Sequence, residues 1–219
     1  MILALLIAVT APQAAAAPAP AQSAIDAERA FAADGQKLGQ WTAFRKYAAG
    51  DAYMFVPQAV NAHAFLQDRK DPPVAVFWWP GRSYVSCDGS YAVNTGPWVR
   101  EWGRSVGYFT TVWKRQPDGS WKWVYDAGDA LPTARAEGGD IRPTVASCAG
   151  RPTEPPFPKW RKGFFASPIM SGSGRSPDLT LAWNWMVDPK GARLFVARQW
   201  TGRRWRTVID DRVSAPPKP

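Results

Sequence analysis

Histidine and cysteine are almost missing from this chain, with one and two residues respectively among 219. So few soft ligands exclude a structural zinc site, a haem thiolate and an iron–sulfur cluster, and neither HxxxH, HExxH nor a calcium-binding loop occurs. No metal and no cofactor are expected. Long hydrophobic runs are lacking too. The longest uninterrupted apolar stretch, residues 1–9, falls well short of the roughly 20 residues that a spanning helix needs, which excludes an integral helical membrane protein. Acidic residues are scarce in the last third. From 26 to 134 the chain has 12 Lys and Arg against 11 Asp and Glu, but from 135 onward 15 against 7. The formal charge of +9 is therefore concentrated late in the chain, where it can steer anionic partners or simply be solvated.

What is present is a globular composition: 46% hydrophobic, 21% charged and 13% aromatic, with 13 tryptophans. The opening MILALLIAVT followed by Pro12 and the small residues Ala14 to Ala17 reads as a signal peptide over 1–17, then a Pro/Ala linker over 18–23. A periplasmic or secreted location follows. In such a compartment Cys87 and Cys148 are expected to form a disulfide, closing a loop of about sixty residues and stabilising the fold by up to about 4 kcal/mol on chain-entropy grounds.

From Ser23 the pattern is helical, with a capping residue, an acidic first turn and Phe31, Leu38, Trp41 and Phe44 near one face. Gly35 and Gly39 are expected to divide this stretch into two helices. A strand, AYMFVP, follows; Asn61 then caps a short helix that Pro72 and Pro73 cannot continue. Five segments rich in β-branched and aromatic residues come next, up to about Gly128, with Gln116 to Gly119 as the clearest hairpin turn. Residues 130–177 are Pro-rich and are expected to be a surface connector, with the SGSG run at 171–174 as a linker. Residues 178–213 read as a three-stranded antiparallel meander and 214–219 as a frayed tail. Three strands cannot bury both faces alone, so the meander should pack on the first unit or on a partner chain.

This order of elements, with AERAFAADG at 27–35, DAYMFVP at 51–57, VNA at 60–62, NTGPW at 94–98 and YFTTVWKRQPDGSWKWVYDAG at 108–128, resembles the nuclear transport factor 2-like superfamily. That superfamily includes SnoaL-like and ketosteroid-isomerase-like domains, and the similarity is to its secreted bacterial subgroup of unassigned function, over residues 24–129. The resemblance implies an α+β cone, in which a strongly curved, mostly antiparallel sheet wraps around helices and leaves one open end. Such cones serve as binding pockets, active sites or dimerisation modules, so the fold does not decide the function.

Within a cone, Phe55, Trp78, Trp79, Trp98, Phe109 and Trp113 are candidate ligand contacts, each of which, taken singly, is better read as core packing. His63, the only imidazole, reads as a surface residue or a further ligand contact. In isomerase-type chemistry a carboxylate moves a proton while a hydroxyl steadies an oxyanion. Asp126 is the first candidate base and Asp51 the second, with Tyr84 or Tyr108 as the electrophile. The leading expectation is a binding or dimerisation domain for a small apolar or amphipathic molecule; an isomerase, lyase or hydrolase using Asp126 is the alternative. A third reading takes the alternating Trp and Arg of 183–206 as a platform for an anionic envelope polymer. Export and the lack of nucleic-acid-binding motifs disfavour DNA or RNA.

Overall fold

The computed structural model describes residues 22–56, 58–136, 141–157 and 170–216. The expected leader and most of the linker lie outside them. Helix α1 spans Ala24–Leu38 and begins with a capping box: the Ser23 hydroxyl accepts from the Asp26 backbone N–H at 3.1 Å, and the Asp26 carboxylate takes the Ser23 N–H in return. Of the two glycines expected to break the helical stretch, only Gly39 does so, at φ 107°. Gly35 stays within α1, where the close approach of Trp78 requires a glycine: a Cβ there would come within 2.9 Å of the indole. Helix α2 (Gln40–Tyr47) has its first turn satisfied from a distance by Asp71, which accepts from the Thr42 backbone N–H at 3.0 Å and its hydroxyl at 2.6 Å. Asn61 caps the short α3 (Ala62–Leu66) through Ala64 N–H at 3.0 Å.

Strands β1 (Ala48–Phe55), β2 (Ala59–Asn61), β3 (Phe77–Trp78), β4 (Arg82–Val85), β5 (Tyr91–Arg100), β6 (Ser105–Arg115), β7 (Trp121–Leu131) and β8 (Pro143–Val145) make one curved sheet in the order β2-β1-β7-β6-β5-β4-β8, with β3 also on β5. The sheet is mixed, since β1 runs parallel to β7 and β4 parallel to β8. The long ladder β5–β6–β7 is antiparallel as expected. A second, antiparallel sheet has the order β12-β11-β10-β9, formed by β9 (Met170–Arg175), β10 (Leu181–Val187), β11 (Arg193–Trp200) and β12 (Trp205–Val213).

Two expectations for the later chain need correction. The stretch 130–177 is not wholly a connector, because it contains β8 and β9; Pro143 is tolerated as the first residue of an edge strand, where no ladder N–H is required. The SGSG run is not a linker but the body of β9, so the meander has four strands. The glycines are there because the indoles of Trp185 and Trp183 lie flat across them. A Cβ at Gly172 would sit 2.6 Å from Trp185 and one at Gly174 would sit 2.3 Å from Trp183.

Both faces of the central sheet are covered. Inside, Ala27, Phe31, Ala43, Trp78, Trp113 and Trp123 form a core with the helices. Outside, Val93, Val112 and Tyr125 meet Leu181, Trp183, Trp185, Phe195 and Ile209 of the second sheet. Phe195 stacks on Tyr125 with ring centres 4.5 Å apart, and Trp185 meets Phe55 edge-on at 5.3 Å. The meander therefore packs on the first unit. The seam is stitched at its margin by Thr180 Oγ1 accepting from Cys87 N–H at 2.8 Å and by Gln199 donating to the carbonyls of Val85 and Thr144, while the Cys87–Cys148 disulfide ties together the segments that follow β4 and β8 of the first sheet.

At the opposite end of the seam Arg135 forms a salt bridge with Asp211, which is 7% exposed. Thr110 donates to the same carboxylate at 2.6 Å, Arg135 also donates to Thr95 at 2.6 Å, and the guanidinium lies 3.9 Å over the Tyr108 ring. Breaking one half of such a pair strands the other charge in the seam. Arg135→Met should therefore cost about 3–5 kcal/mol in urea unfolding, while the double variant Arg135→Met/Asp211→Leu should recover at least half of that loss.

Candidate functional site

Alternation along a strand decides which side chains reach the interior, and one extra residue reverses it. On β7, Trp121 and Trp123 point into the helical core. Regular alternation would send Tyr125 inward and Asp126 outward. The ladder between β6 and β7 shifts register between Val112 and Trp113: Trp113 pairs with Trp123 but Val112 pairs with Tyr125, which leaves Val124 as the bulged residue. Tyr125 consequently joins the outer seam and Asp126 turns to the concave face, opposite Thr111. A matching irregularity on β1, between Ala48 and Tyr53, keeps Met54 beside Asp126.

Asp126 lines a cavity of about 560 Å³ at the open end of the curved sheet. Its helical wall is Gln40, Trp41 and Phe44 from α2 with Phe65 from α3 and Arg69 just beyond it; its sheet wall is Met54, Trp98, Phe109 and the run Asp126 to Ala130. Trp98 is held across the sheet by donating its indole N–H to the Tyr108 carbonyl at 2.8 Å. That position needs Gly107, where a Cβ would stand 2.4 Å from the ring. Arg193 reaches the same cavity from the second sheet, donating to the Gly128 carbonyl at 3.2 Å.

Burial among these apolar groups pushes the Asp126 carboxyl up to about 8, and the nearby charge of Glu28 adds to the effect; the Thr111 hydroxyl, donating at 2.8 Å, opposes it. At neutral pH this group is largely a neutral acid that can donate a proton or a hydrogen bond. It is a carboxyl with a titration range suited to proton transfer, on the wall of an apolar cavity.

The structure brings Phe55, Trp98 and Phe109 to this cavity with Asp126, as well as Trp78, which shares its wall with the core. It does not bring the tyrosines. Tyr108 lies on the outer face of β6, against Arg135, where burial raises its hydroxyl far above the ordinary range. Tyr84 packs in the same outer seam. An oxyanion role beside Asp126 is closed to both, because each occupies the strand parity opposite to that of the cavity. Trp113 is wholly buried in the helical core and away from the cavity wall. Trp79 packs on Phe77 at 5.4 Å and His63 contacts the Ala49 carbonyl at 3.0 Å, neither on the wall. Asp51 is exposed on β1. Trp183 and Trp185 are spent in the seam, so the late Trp/Arg pattern presents its arginines without those two indoles.

Among the buried acids, Glu28, Asp188 and Asp211, the one beside the cavity core is Glu28. Glu28 is completely enclosed and accepts from the indole N–H groups of Trp113 at 2.6 Å and Trp78 at 3.0 Å, and from Asn94 at 3.3 Å. Burial nonetheless pushes its carboxyl up to about 7, against these hydrogen bonds. The signal was legible: Glu28 falls on the same helical stripe as Ala24, Ala27, Phe31 and Ala32, a charged residue on an apolar face.

No protein-family model matches the chain, and no curated protein matches it. Solved structures do. A proposed ketosteroid isomerase from Parabacteroides distasonis is 18% identical with a TM-score of 0.37, over 49% of this chain and 85% of its own. A protein of unknown function from the DUF3225 family of Pectobacterium atrosepticum is 12% identical with a TM-score of 0.36, over 50% and 93%. A proposed ketosteroid isomerase from Shewanella frigidimarina is 15% identical with a TM-score of 0.35, over 50% and 97%.

Because folding raises the carboxyls of Asp126 and Glu28 above their unfolded values, the native state holds more protons than the unfolded chain between those values. Stability from these groups is greatest at low pH and is lost as pH rises through about 7 to 8. Asp126→Asn should escape its share: between pH 5 and pH 9 its unfolding free energy should gain on the native protein by about 2–4 kcal/mol. Urea titrations at the two pH values measure this.

Proposed function

We propose that this protein binds a small, largely apolar molecule in the cavity between α2, α3 and the concave face of β5 to β7. The observation that carries the reading is the combination of about 560 Å³ of space with aromatic walls and one convergent, neutralised carboxyl, Asp126, which together match the general character of a small-molecule site. Trp98, Phe109, Phe44 and Met54 supply apolar contact, while Asp126 and Gln40 offer hydrogen bonds that orient the guest. The leader pattern at 1–17 supports a periplasmic or external location as part of this reading, and the disulfide is compatible with it. Among the described residues no helix is long and apolar enough to cross a membrane.

The test is a neutral hydrophobic dye. Nile red should bind with increased emission, and Ala130→Trp, placed at the exposed mouth, should weaken binding at least tenfold with no fall in the unfolding midpoint. Emission unchanged by that substitution would remove the cavity from the reading.

A second reading is favoured by the position of Asp126 itself. A carboxyl with a value of about 8 on a cavity wall can shuttle a proton at an activated C–H of a bound carbonyl compound. Among the described residues the cavity wall holds no tyrosine to stabilise an enolate; Gln40, Trp41, Ser105 and the arginines carry the donors there. Proton transfer predicts that a ligand retained through purification gains deuterium in D₂O with the native protein and not with Asp126→Asn, as read by mass spectrometry.

A further inference from the structure

The cavity is apolar within but cationic toward its opening. Arg69 follows α3, Arg100 ends β5 and Arg193 begins β11; all three line the same cavity, and among the described residues none of them is in a salt bridge. Two carboxylates share the wall. Asp126 is largely neutral at pH 7, which leaves Asp129 to face three fixed cations, with Glu101 next to Arg100 at the rim. Arg193 is the informative one. It is only 9% exposed, stands 5.3 Å over the Phe55 ring, and its hydrogen bond goes to a single backbone carbonyl. A guanidinium presents five N–H donors in a fork suited to carboxylate or phosphate, and this one, with Asp211 in the small adjoining pocket and a backbone carbonyl as its hydrogen-bond partner, keeps donors for an anion that enters the cavity.

Depth separates the two kinds of surface. Asp126, Gly128 and Ala130 follow one another along the concave face of β7, and Ala130 is exposed at the mouth. Four residues of strand place Asp126 about 13 Å further in. Arg193 holds Gly128 between them, Arg100 closes the β5–β6 end and Arg69 faces from the helical wall.

We infer that the natural ligand is an amphiphile with an anionic head, whose apolar body occupies the Trp98–Phe109–Phe44 cavity while its carboxylate, sulfate or phosphate is held at the mouth by Arg100, Arg69 and Arg193. This rests on the cavity reading above and adds to it the class of ligand. It also gives the second sheet a part in the site, since Arg193 is supplied by β11. The sheet that seals the outer face of the central strands also delivers a cation past their edge.

The experiment is calorimetric titration with three probes that share a twelve-carbon chain, each kept below its micelle concentration: laurate, 1-dodecanol and dodecyltrimethylammonium. Laurate should bind at least tenfold more tightly than 1-dodecanol and the ammonium more weakly than either, with the laurate preference shrinking as salt is added. Arg100→Gln and Arg69→Gln, both at exposed positions, should each narrow the laurate-to-dodecanol ratio to less than about a third of its native value, and Arg193→Gln should do so most. Equal affinity for the three probes, or a ratio unmoved by all three substitutions, overturns the inference and leaves the cavity reading standing. Failure of every twelve-carbon probe while Nile red still binds also overturns it. Failure of Nile red as well removes both.

Discussion

A strand has two faces, and in this protein both faces of β5, β6 and β7 are buried. The inner face is filled by helices and the outer by a second sheet, so no side chain on these strands can change sides without leaving one core short and the other overfull. Strand parity is thus the constraint on which the rest depends. It explains why Thr111, Phe109 and Trp113 look inward while Tyr108, Thr110 and Val112 look outward. It also explains the importance of one bulged residue, Val124. Without it Asp126 would be driven into the Trp185–Phe195 seam as an unpaired carboxyl, and the aromatic ring of Tyr125 would fill the cavity.

Two acids buried in these cores, Glu28 and Asp211, are paired in ways that suit their surroundings. Glu28 is placed among indole N–H donors, which hydrogen-bond it without adding a charge, and its value stays near neutrality. Asp211 instead has a full counter-charge in Arg135 and a hydroxyl from Thr110, but burial still raises its carboxyl above the usual range. Both acids are buried, Glu28 completely. Asp126 differs because one side of its environment is empty space. A half-buried carboxyl with a cavity in front of it can act on something that enters, whereas Glu28 is enclosed by protein groups.

The second sheet is more than a cap. It removes the outer face of the central sheet from solvent, binds the edge near Cys87 through Thr180 and Gln199, and projects Arg193 to the cavity. Its own inner face depends on a compensation between residue sizes. Two indoles lie over two glycines of the edge strand, which is why a segment that looks like flexible filler is ordered.

Local chemistry was legible in the chain alone. The Ser23 capping box, the Asn61 cap, the Gln116–Gly119 turn and the runs of β-branched and aromatic residues act over a few positions, and each formed where its residues stand. The pairing of Cys87 with Cys148 needed only the count of two. Of the residues named from the sequence, the fold brings Asp126, Phe55, Trp98 and Phe109 to one cavity wall and leaves Tyr84, Tyr108, Trp113, Trp79 and His63 off it. Strand parity turns Tyr84 and Tyr108 away, depth along β6 puts the inward-facing Trp113 among the helices, and the inward turn of Asp126 comes from a bulge and a register that emerge only when β7 is docked between β1 and β6. The convergence of Arg69, Arg100 and Arg193, far apart in sequence and on three different elements, was likewise decided by the tertiary structure. Periodicity carries information between neighbours a few residues apart; the distance between two ends of the chain is determined by the packing of whole sheets.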